Sequence, residues 1–181
     1  AGDPAWECVA AADALLAQAA RFVESLDDAT FARACALASG GTIGKHLRHC
    51  VDHYAAAIMA MADPSGGPID YDHRDRDVPM ETCRVTAMET IARLRGELSR
   101  NRGRDVHAPV TVRVMVSSDG RTADLGSTLA RELAFADHHA LHHHAMMKFI
   151  PDSFGCLTPP DFGKAPSTAH HEQHQGAAVK A

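Results

Sequence analysis

Histidines are the residues of this sequence whose number and spacing point most directly to chemistry. The chain has 13 histidines among 181 residues, with three in residues 46–53 and five in residues 138–144. A neutral imidazole binds divalent cations such as zinc, nickel and iron, and two histidines one helical turn apart can reach the same ion. The two clusters therefore predict a metal site, provided that each lies on a helix and that the two helices face each other.

The second cluster is predicted to lie on a helix whose apolar residues define one inward stripe: Leu129, Leu133, Ala136, Ala140 and Met147. At about 100° per residue, His138 points away from this stripe and His142 lies well off it. His139 and His143 lie on the edge of the stripe, one turn apart, and are the predicted metal-binding pair. His144 borders the other side of the stripe, as a core residue or a support for the ligands.

The first cluster lies on a predicted helix over about residues 43–62. His46, His49 and His53 share one face of this helix with three alanines: Ala56, Ala57 and Ala60. Because histidine and alanine leave space inside a bundle, this face predicts a polar pocket. Helical geometry alone does not identify which of the three histidines faces the second cluster. The alternative for both clusters is a solvent-exposed polar surface without a specific site.

Other known site types lack their motifs here. A zincin requires H-E-x-x-H, but the segment His138-His139-Ala140-Leu141-His142 has a histidine in place of the glutamate. The helices carry no E-x-x-H pairs of the ferritin-like di-iron kind, and the chain has no nucleotide-binding glycine loop and no G-x-S-x-G elbow. Five scattered cysteines without C-x-x-C are typical of reduced thiols in the cytoplasm.

The elements that must position the histidines are four main helices, predicted over about residues 5–26, 43–62, 79–100 and 127–150. Residues 63–78 form a long polar connection with two prolines and two glycines. Alternating valines and the turn residues Ser118-Asp119-Gly120 predict a β-hairpin over residues 109–126. The predicted fold class is therefore all-α: a four-helix up-down bundle with a long connection between helices two and three and a small hairpin between helices three and four.

The predicted domain organisation is one bundle over residues 1–158 and a poorly ordered, histidine-containing tail over residues 159–181. Proline, serine, glutamine and glycine are frequent in the tail, and a segment of this composition has little apolar surface to bury. We expect its histidines, His170, His171 and His174, to be solvated rather than part of a built site.

Charge and hydropathy exclude several partners. The formal net charge is -5 and the isoelectric point is about 6.2, so the sequence does not predict binding to nucleic acid or to an anionic membrane. Apolar stretches are far shorter than the roughly 20 residues that span a bilayer. No signal-peptide pattern stands at the start, and we expect a cytoplasmic protein.

Three segments resemble the DinB-like superfamily, also called the DinB/YfiT metal-binding four-helix bundles. They are residues 42–54 (TIGKHLRHCVDHY), residues 69–77 (IDYDHRDRD) followed by Glu81, and residues 127–133 (STLAREL) continuing to residues 139–145 (HALHHHA). In that superfamily one histidine of helix two and an H-x-x-x-H pair of helix four hold a metal ion. The resemblance implies that His49, His139 and His143 are the ligands.

The same resemblance implies that His46 and His53 are neighbours of the ligands, and His142 is likewise expected beside the ligands without binding the ion. One divalent ion is expected, and neutral imidazoles suit zinc, nickel or iron without selecting among them. The connection that includes Arg74 and Arg76 resembles a subgroup without a settled activity. Its charged residues either tie the connection to the bundle through salt bridges or line the mouth of a pocket.

Relatives in the superfamily include transferases and isomerases that use a low-molecular-weight thiol. The first functional hypothesis is therefore a metal-dependent enzyme that binds such a thiol and transfers it to an electrophile. Arg74, Arg76 and Arg131 would bind carboxylates of the substrate, and Glu132 would act as a base or accept a ring N–H of a ligand. The alternatives are a non-catalytic metal-binding or stress-response protein, or a helical dimerisation module with a vestigial site. Bundles of this size often pair through an apolar face, so a homodimer is also expected.

Overall fold

A computed structural model describes residue 3, residues 5–73 and residues 75–178 of the chain, with the side chains of residues 175–178 left out of the description. The helices are α1 (Trp6–Glu24), α2 (Asp28–Ala32), α3 (Ile43–Ala62), α4 (Arg84–Arg100), α5 (Leu129–Asp152) and α6 (Pro166–Ala178). The strands are β1 (Ile69–Asp70), β2 (Pro109–Met115) and β3 (Thr122–Thr128). Short 3-10 turns lie at Ala36–Ala38 and Pro79–Glu81.

Four long helices form the core of the molecule. They pack in a ring in the order α1, α5, α3, α4, so that each contacts two neighbours. The described part of the chain is therefore mostly helical with one small sheet, which agrees with the predicted bundle at the level of architecture.

The helices that carry the histidine clusters begin at their expected caps. Thr42 accepts a hydrogen bond from the backbone N–H of Lys45 at the start of α3, and Thr128 accepts one from the N–H of Arg131 at the start of α5. The predicted apolar stripe of α5, given above, is buried. Helical spacing predicts a stripe on α3 as well, and it is also buried: Ile43, Leu47, Val51, Tyr54, Ile58 and Met61. Burial of these stripes places α3 and α5 side by side.

Helix α4 begins later than predicted. Residues 79–81 form a 3-10 turn, and the α-helix begins at Arg84 instead of Pro79. The sequence predicts inward positions at Val85, Met88, Ile91, Leu94 and Leu98. Val85 is instead 65% exposed, whereas Ile91, Leu94 and Leu98 are buried. At about 100° per residue, Val85 lies far from the face that Ile91, Leu94 and Leu98 share, and Ala87 takes the first buried position.

The β-structure is larger than the predicted hairpin. β2 and β3 pair antiparallel from Pro109↔Thr128 to Met115↔Thr122, as expected. β1, within the connection that was predicted to be irregular, adds a third strand parallel to β2 with Ile69 opposite Val112. A two-residue strand is too short to show alternation, so only the pairing partner reveals it. The sheet ties the long connection to the start of α5.

One part of the predicted tail contacts the bundle. Phe162 is 3% exposed, and its ring stacks on Phe22 of α1 at a centroid distance of 3.9 Å and on His144 of α5 at 4.9 Å. The next residue, Gly163, has φ of +71°, and a side chain there would come within 2.7 Å of the backbone nitrogen of Ala145. One aromatic residue and one close backbone approach therefore attach the tail to the bundle.

No helix among the described residues is both long enough and apolar enough to cross a membrane.

Candidate metal centre

Helices α3 and α5 bring their histidines into one cluster of five rings. His49 lies 4.6 Å from His139 and 4.8 Å from His143 between ring centroids, and His139 lies 4.5 Å from His143. His53 stacks on His139 at 3.9 Å, and His46 lies 5.2 Å from His143. The structure thus brings together the histidines of α3 with the predicted pair of α5.

Three of the five rings form the most compact set of potential ligands. His49, His53 and His139 each offer a nitrogen, and these nitrogens lie within 4.8 Å of one another. The ligands of a tetrahedral zinc ion are about 3.3 Å apart, given bonds of about 2.0–2.1 Å. Side-chain adjustments of about 1 Å would therefore let these three imidazoles hold a divalent ion.

A backbone contact orients the ring of His53. Its Nδ1 lies 2.9 Å from the carbonyl oxygen of His49. Because a carbonyl only accepts, Nδ1 carries the proton and the lone pair of the neutral ring is on Nε2. A ligand histidine usually has its second nitrogen held by such a contact, which fixes both the tautomer and the ring plane.

His143, which the resemblance implies is a ligand with His49 and His139, makes its closest contact with His46. Its Nδ1 lies 2.9 Å from Nδ1 of His46. Burial, followed by the neighbouring imidazoles, lowers the pKa of His143 to about 3, and burial followed by His142 lowers the pKa of His46. Both rings are therefore neutral near pH 7, with one Nδ1–H donating to the other Nδ1. The assignment of His143 as the third ligand stays a prediction.

The other predicted histidines differ in burial and in their distance from the compact set. His53, expected to be a neighbour of the ligands, belongs to the compact set of three. His142 is exposed, with its ring 5.1 Å from His143, and His138 is exposed as predicted. His144 is buried in the core, where its Nδ1 donates to the side-chain oxygen of Gln18 at 3.1 Å.

A cleft of about 420 Å³ opens the cluster to solvent at the start of α3. Its lining comes from the 3-10 turn, the loop after it and the first turns of α3: Ala38, Ser39, Gly40, Gly41, Lys45, His46, Arg48, His49 and His143. The loop runs directly over the ring of His46, since a Cβ on Gly41 would come within 2.9 Å of Nε2 of His46. Solvent and small molecules therefore approach the cluster from this side.

Glu132 is buried, but its hydrogen bonds differ from those predicted. Among the described residues it accepts from the hydroxyl of Tyr71 at 3.0 Å, the hydroxyl of Ser127 at 2.5 Å and the guanidinium of Arg131 at 3.1 Å. None of these donors is a ligand histidine. Tyr71 connects the two groups, because its ring stacks on His53 at 4.9 Å. Glu132 is therefore linked to the histidine cluster through Tyr71.

Of the arginines proposed as substrate contacts, the two that the structure describes do not line the cleft at the histidines. Arg131 is exposed and lies over the ring of Phe135, beside a cavity of about 260 Å³ that Tyr71 and Glu132 also line. Arg76 is exposed in the connection. Arg74 lies outside the described residues.

Two residues near the cluster were missed in the sequence. Arg48 is buried, with its Nε 2.7 Å from Glu81 and its Nη1 2.5 Å from Asp52, and it lines the cleft. Arg48 stands between the inward residue Leu47 and the predicted ligand His49. This position could have indicated that its side chain lies near the cluster. No sequence pattern around Tyr71 indicated its contact with the histidines, because only the pairing of β1 with β2 brings the connection close to α5.

Comparisons with known proteins give one partial relative. FK506-binding protein 5 of Rhizopus delemar is 33% identical over 108 residues, which are 59% of this chain and 28% of that protein. The chain thus spans less than a third of the length of this curated relative. No family model matches the chain, and no solved structure matches it.

Proposed function

We propose that this protein binds a divalent metal ion through His49, His53 and His139. The observation that carries the proposal is the convergence of three imidazole nitrogens from two neighbouring helices within 4.8 Å. The contact between His53 and the backbone of His49 supports it, because it orients one ring as ligand histidines usually are. Zinc, nickel and iron all suit this donor set.

The resemblance to the DinB-like superfamily supports the same conclusion from a separate direction, since those bundles hold a metal between the same two helices. The superfamily pattern favours His143 as a ligand, whereas the spacing of the nitrogens favours His53. A site with three protein ligands keeps a coordination position for water or substrate, and a fourth histidine would close it. The ligand set therefore bears directly on whether the protein is an enzyme.

Metal content tests the proposal. His170 and His174 lie one turn apart on α6, with their rings edge-on at a centroid distance of 4.1 Å. Because such a pair binds metal adventitiously, both are replaced by alanine in every sample. After reconstitution with zinc and gel filtration, we expect bound metal in the parent. The variants His49→Ala, His53→Ala and His139→Ala should each bind at least one ion per chain fewer than the parent does.

The matched control is His138→Ala, which removes an exposed histidine of the same helix and should leave the metal content unchanged. A parent without bound zinc, nickel or iron after reconstitution would contradict the proposal. An equal loss of metal in the control would assign the metal to the histidine-rich surface instead of the cluster.

A second candidate function is a metal-dependent enzyme that uses a low-molecular-weight thiol. The cleft favours it, because His49 lines an opening large enough for a small molecule and Lys45 supplies a cation at the rim. A bound divalent ion would lower the pKa of a thiol that reaches it. This chain would hold the ion in place, admit the thiol through the cleft and attract its carboxylates with Lys45.

A spectrophotometric screen of several thiols and electrophiles examines this activity, with His139→Ala as the inactive control. Turnover that depends on the metal supports the enzyme, and its absence favours a non-catalytic metal-binding or stress-response protein. A homodimer and a dimerisation role stay proposals that light scattering of the purified chain examines.

A further inference from the structure

The cluster contains more imidazoles than one ion with an open position can use. Such an ion takes three protein ligands, and His49, His53 and His139 supply them. His46 and His143 lie against this set, with the ring of His143 4.8 Å from His49 and 4.5 Å from His139. They make their own close contact with each other, outside the compact set of three.

The separation of these two rings matches a pair of ligands. Nδ1 of His46 lies 2.9 Å from Nδ1 of His143. Two metal–nitrogen bonds of about 2.05 Å at a right angle place their nitrogens about 2.9 Å apart, and at the tetrahedral angle about 3.3 Å apart. The two nitrogens therefore already have the separation of two ligands, and binding one ion requires the rings to turn and the shared proton to leave so that both Nδ1 lone pairs point at the ion.

A third imidazole and open solvent complete this second position. His142 is exposed at the surface beside this pair, with its ring 5.1 Å from that of His143. Because His142 is exposed, its side chain can change rotamer at little cost. His46 and His143 line the cleft, so water or an anion can occupy the remaining coordination positions.

We propose that the histidine cluster binds two divalent ions: one at His49, His53 and His139, and a second at His46 and His143 with His142 as a further ligand. This inference rests on the proposed function and deepens it. Centres with two ions about 3.5–4 Å apart hold an oxygen anion between them, such as hydroxide or a phosphate or carboxylate oxygen. The ring of His143 in the second set lies 4.5 Å from His139 and 4.8 Å from His49 in the first set.

Zinc stoichiometry distinguishes two ions from one. The full-length chain carrying His170→Ala and His174→Ala is dialysed against buffered zinc, and its zinc and protein contents are measured. We expect two ions per chain in this parent, and one ion per chain in His46→Gln and in His143→Gln. Glutamine retains much of the side-chain volume, and circular dichroism checks that each variant keeps its helices.

The compact set provides the reciprocal variant. His53→Gln should also bind one ion, and the double variant His46→Gln/His53→Gln should bind none. His138→Gln is the matched control and should keep two. Measured cobalt absorption should rise in two steps in the parent and in one step in each single variant.

Other stoichiometries have distinct meanings. One ion in the parent, retained in His46→Gln, overturns the second position and leaves the metal-binding proposal intact. The contact between His46 and His143 is then a hydrogen bond. One ion lost in both His46→Gln and His53→Gln assigns all the rings to a single centre and also overturns the inference. Zero ions in a folded parent rejects the proposed function itself.

Discussion

At the scale of single residues, hydrogen bonds decide which nitrogen of an imidazole can bind an ion. The carbonyl of His49 holds the proton of His53 on Nδ1, and the amide oxygen of Gln18 does the same for His144. The two rings nevertheless have different surroundings. His53 contacts other histidines, whereas His144 is buried between Gln18 and Phe162, where burial lowers its pKa to about 4. Only the first of them lies in the compact set of histidines that could hold an ion.

Asp137 gives a residue-scale prediction about pH. It is buried in α5 and accepts a hydrogen bond from the hydroxyl of Tyr54 at 2.9 Å, and burial raises its pKa to about 7. An unfolded chain ionises this carboxyl near pH 4, so stability is lost as the pH rises from about 4 through 7. The neutral variant Asp137→Asn should therefore lie within about 1 kcal/mol of the parent at pH 4.5 and be more stable at pH 8.5, by about 4 kcal/mol at most.

Urea unfolding of both proteins at the two pH values measures this difference, and comparison at each pH cancels the titration of the histidines. Equal stability at pH 8.5 would show that Asp137 is ionised without cost in the folded protein. Tyr54→Phe is a useful companion, because it removes the donor and leaves the carboxyl in place.

At the scale of elements, short segments outside the helices determine how the bundle is closed. β1 places Tyr71 against His53, and Tyr71 in turn donates to Glu132 at the start of α5. The tail inserts Phe162 between α1 and α5. Neither segment has the periodicity of a helix, yet each contributes an aromatic ring to the interior.

Phe162→Ala tests the attachment of the tail. The substitution removes a buried ring that stacks on Phe22 and His144, and core changes of this kind cost about 3–5 kcal/mol. We expect a loss in the lower part of that range, because the tail can move to fill part of the space. Urea unfolding gives the loss in stability, and zinc binding should stay unchanged, since Phe162 contacts no member of the compact set.

A loss below about 1 kcal/mol would instead show that the tail contributes little to the folded state. Ser167→Ala changes an exposed residue of α6 and serves as the control for this comparison.

At the scale of the whole molecule, the ring of helices makes α3 and α5 neighbours, and an ion at the cluster would link them. An ion that binds only the folded chain stabilises it by about 4 kcal/mol when its concentration is 1,000 times Kd. For a chain of this length, that corresponds to a rise in Tm of about 10 °C. We expect zinc to raise Tm by this order and EDTA to reverse the change.

Differential scanning calorimetry with His139→Ala as the test variant and His138→Ala as the control measures this stabilisation. The rise should disappear in the first and persist in the second. A parent whose Tm does not respond to zinc, nickel or iron would be inconsistent with an ion that links the two helices.

The sequence determined the parts of this protein that depend on local geometry. Helical periodicity and capping residues identified α3 and α5, their buried stripes and the exposed position of His138. The relation between His139 and His143 also follows from one turn of one helix. All of these depend on residues close together in the chain, and the rise and twist of a helix relate them directly.

Tertiary structure alone decided which side chains meet. The nearest approach of the nitrogens joins His53 with His49 and His139, and it gives His143 the partner His46. It also gives Glu132 the donors Tyr71, Ser127 and Arg131 in place of a histidine. These contacts depend on the axial offset and rotation of α3 against α5 and on side-chain rotamers. Packing across the whole bundle sets those quantities, and no short stretch of sequence encodes them.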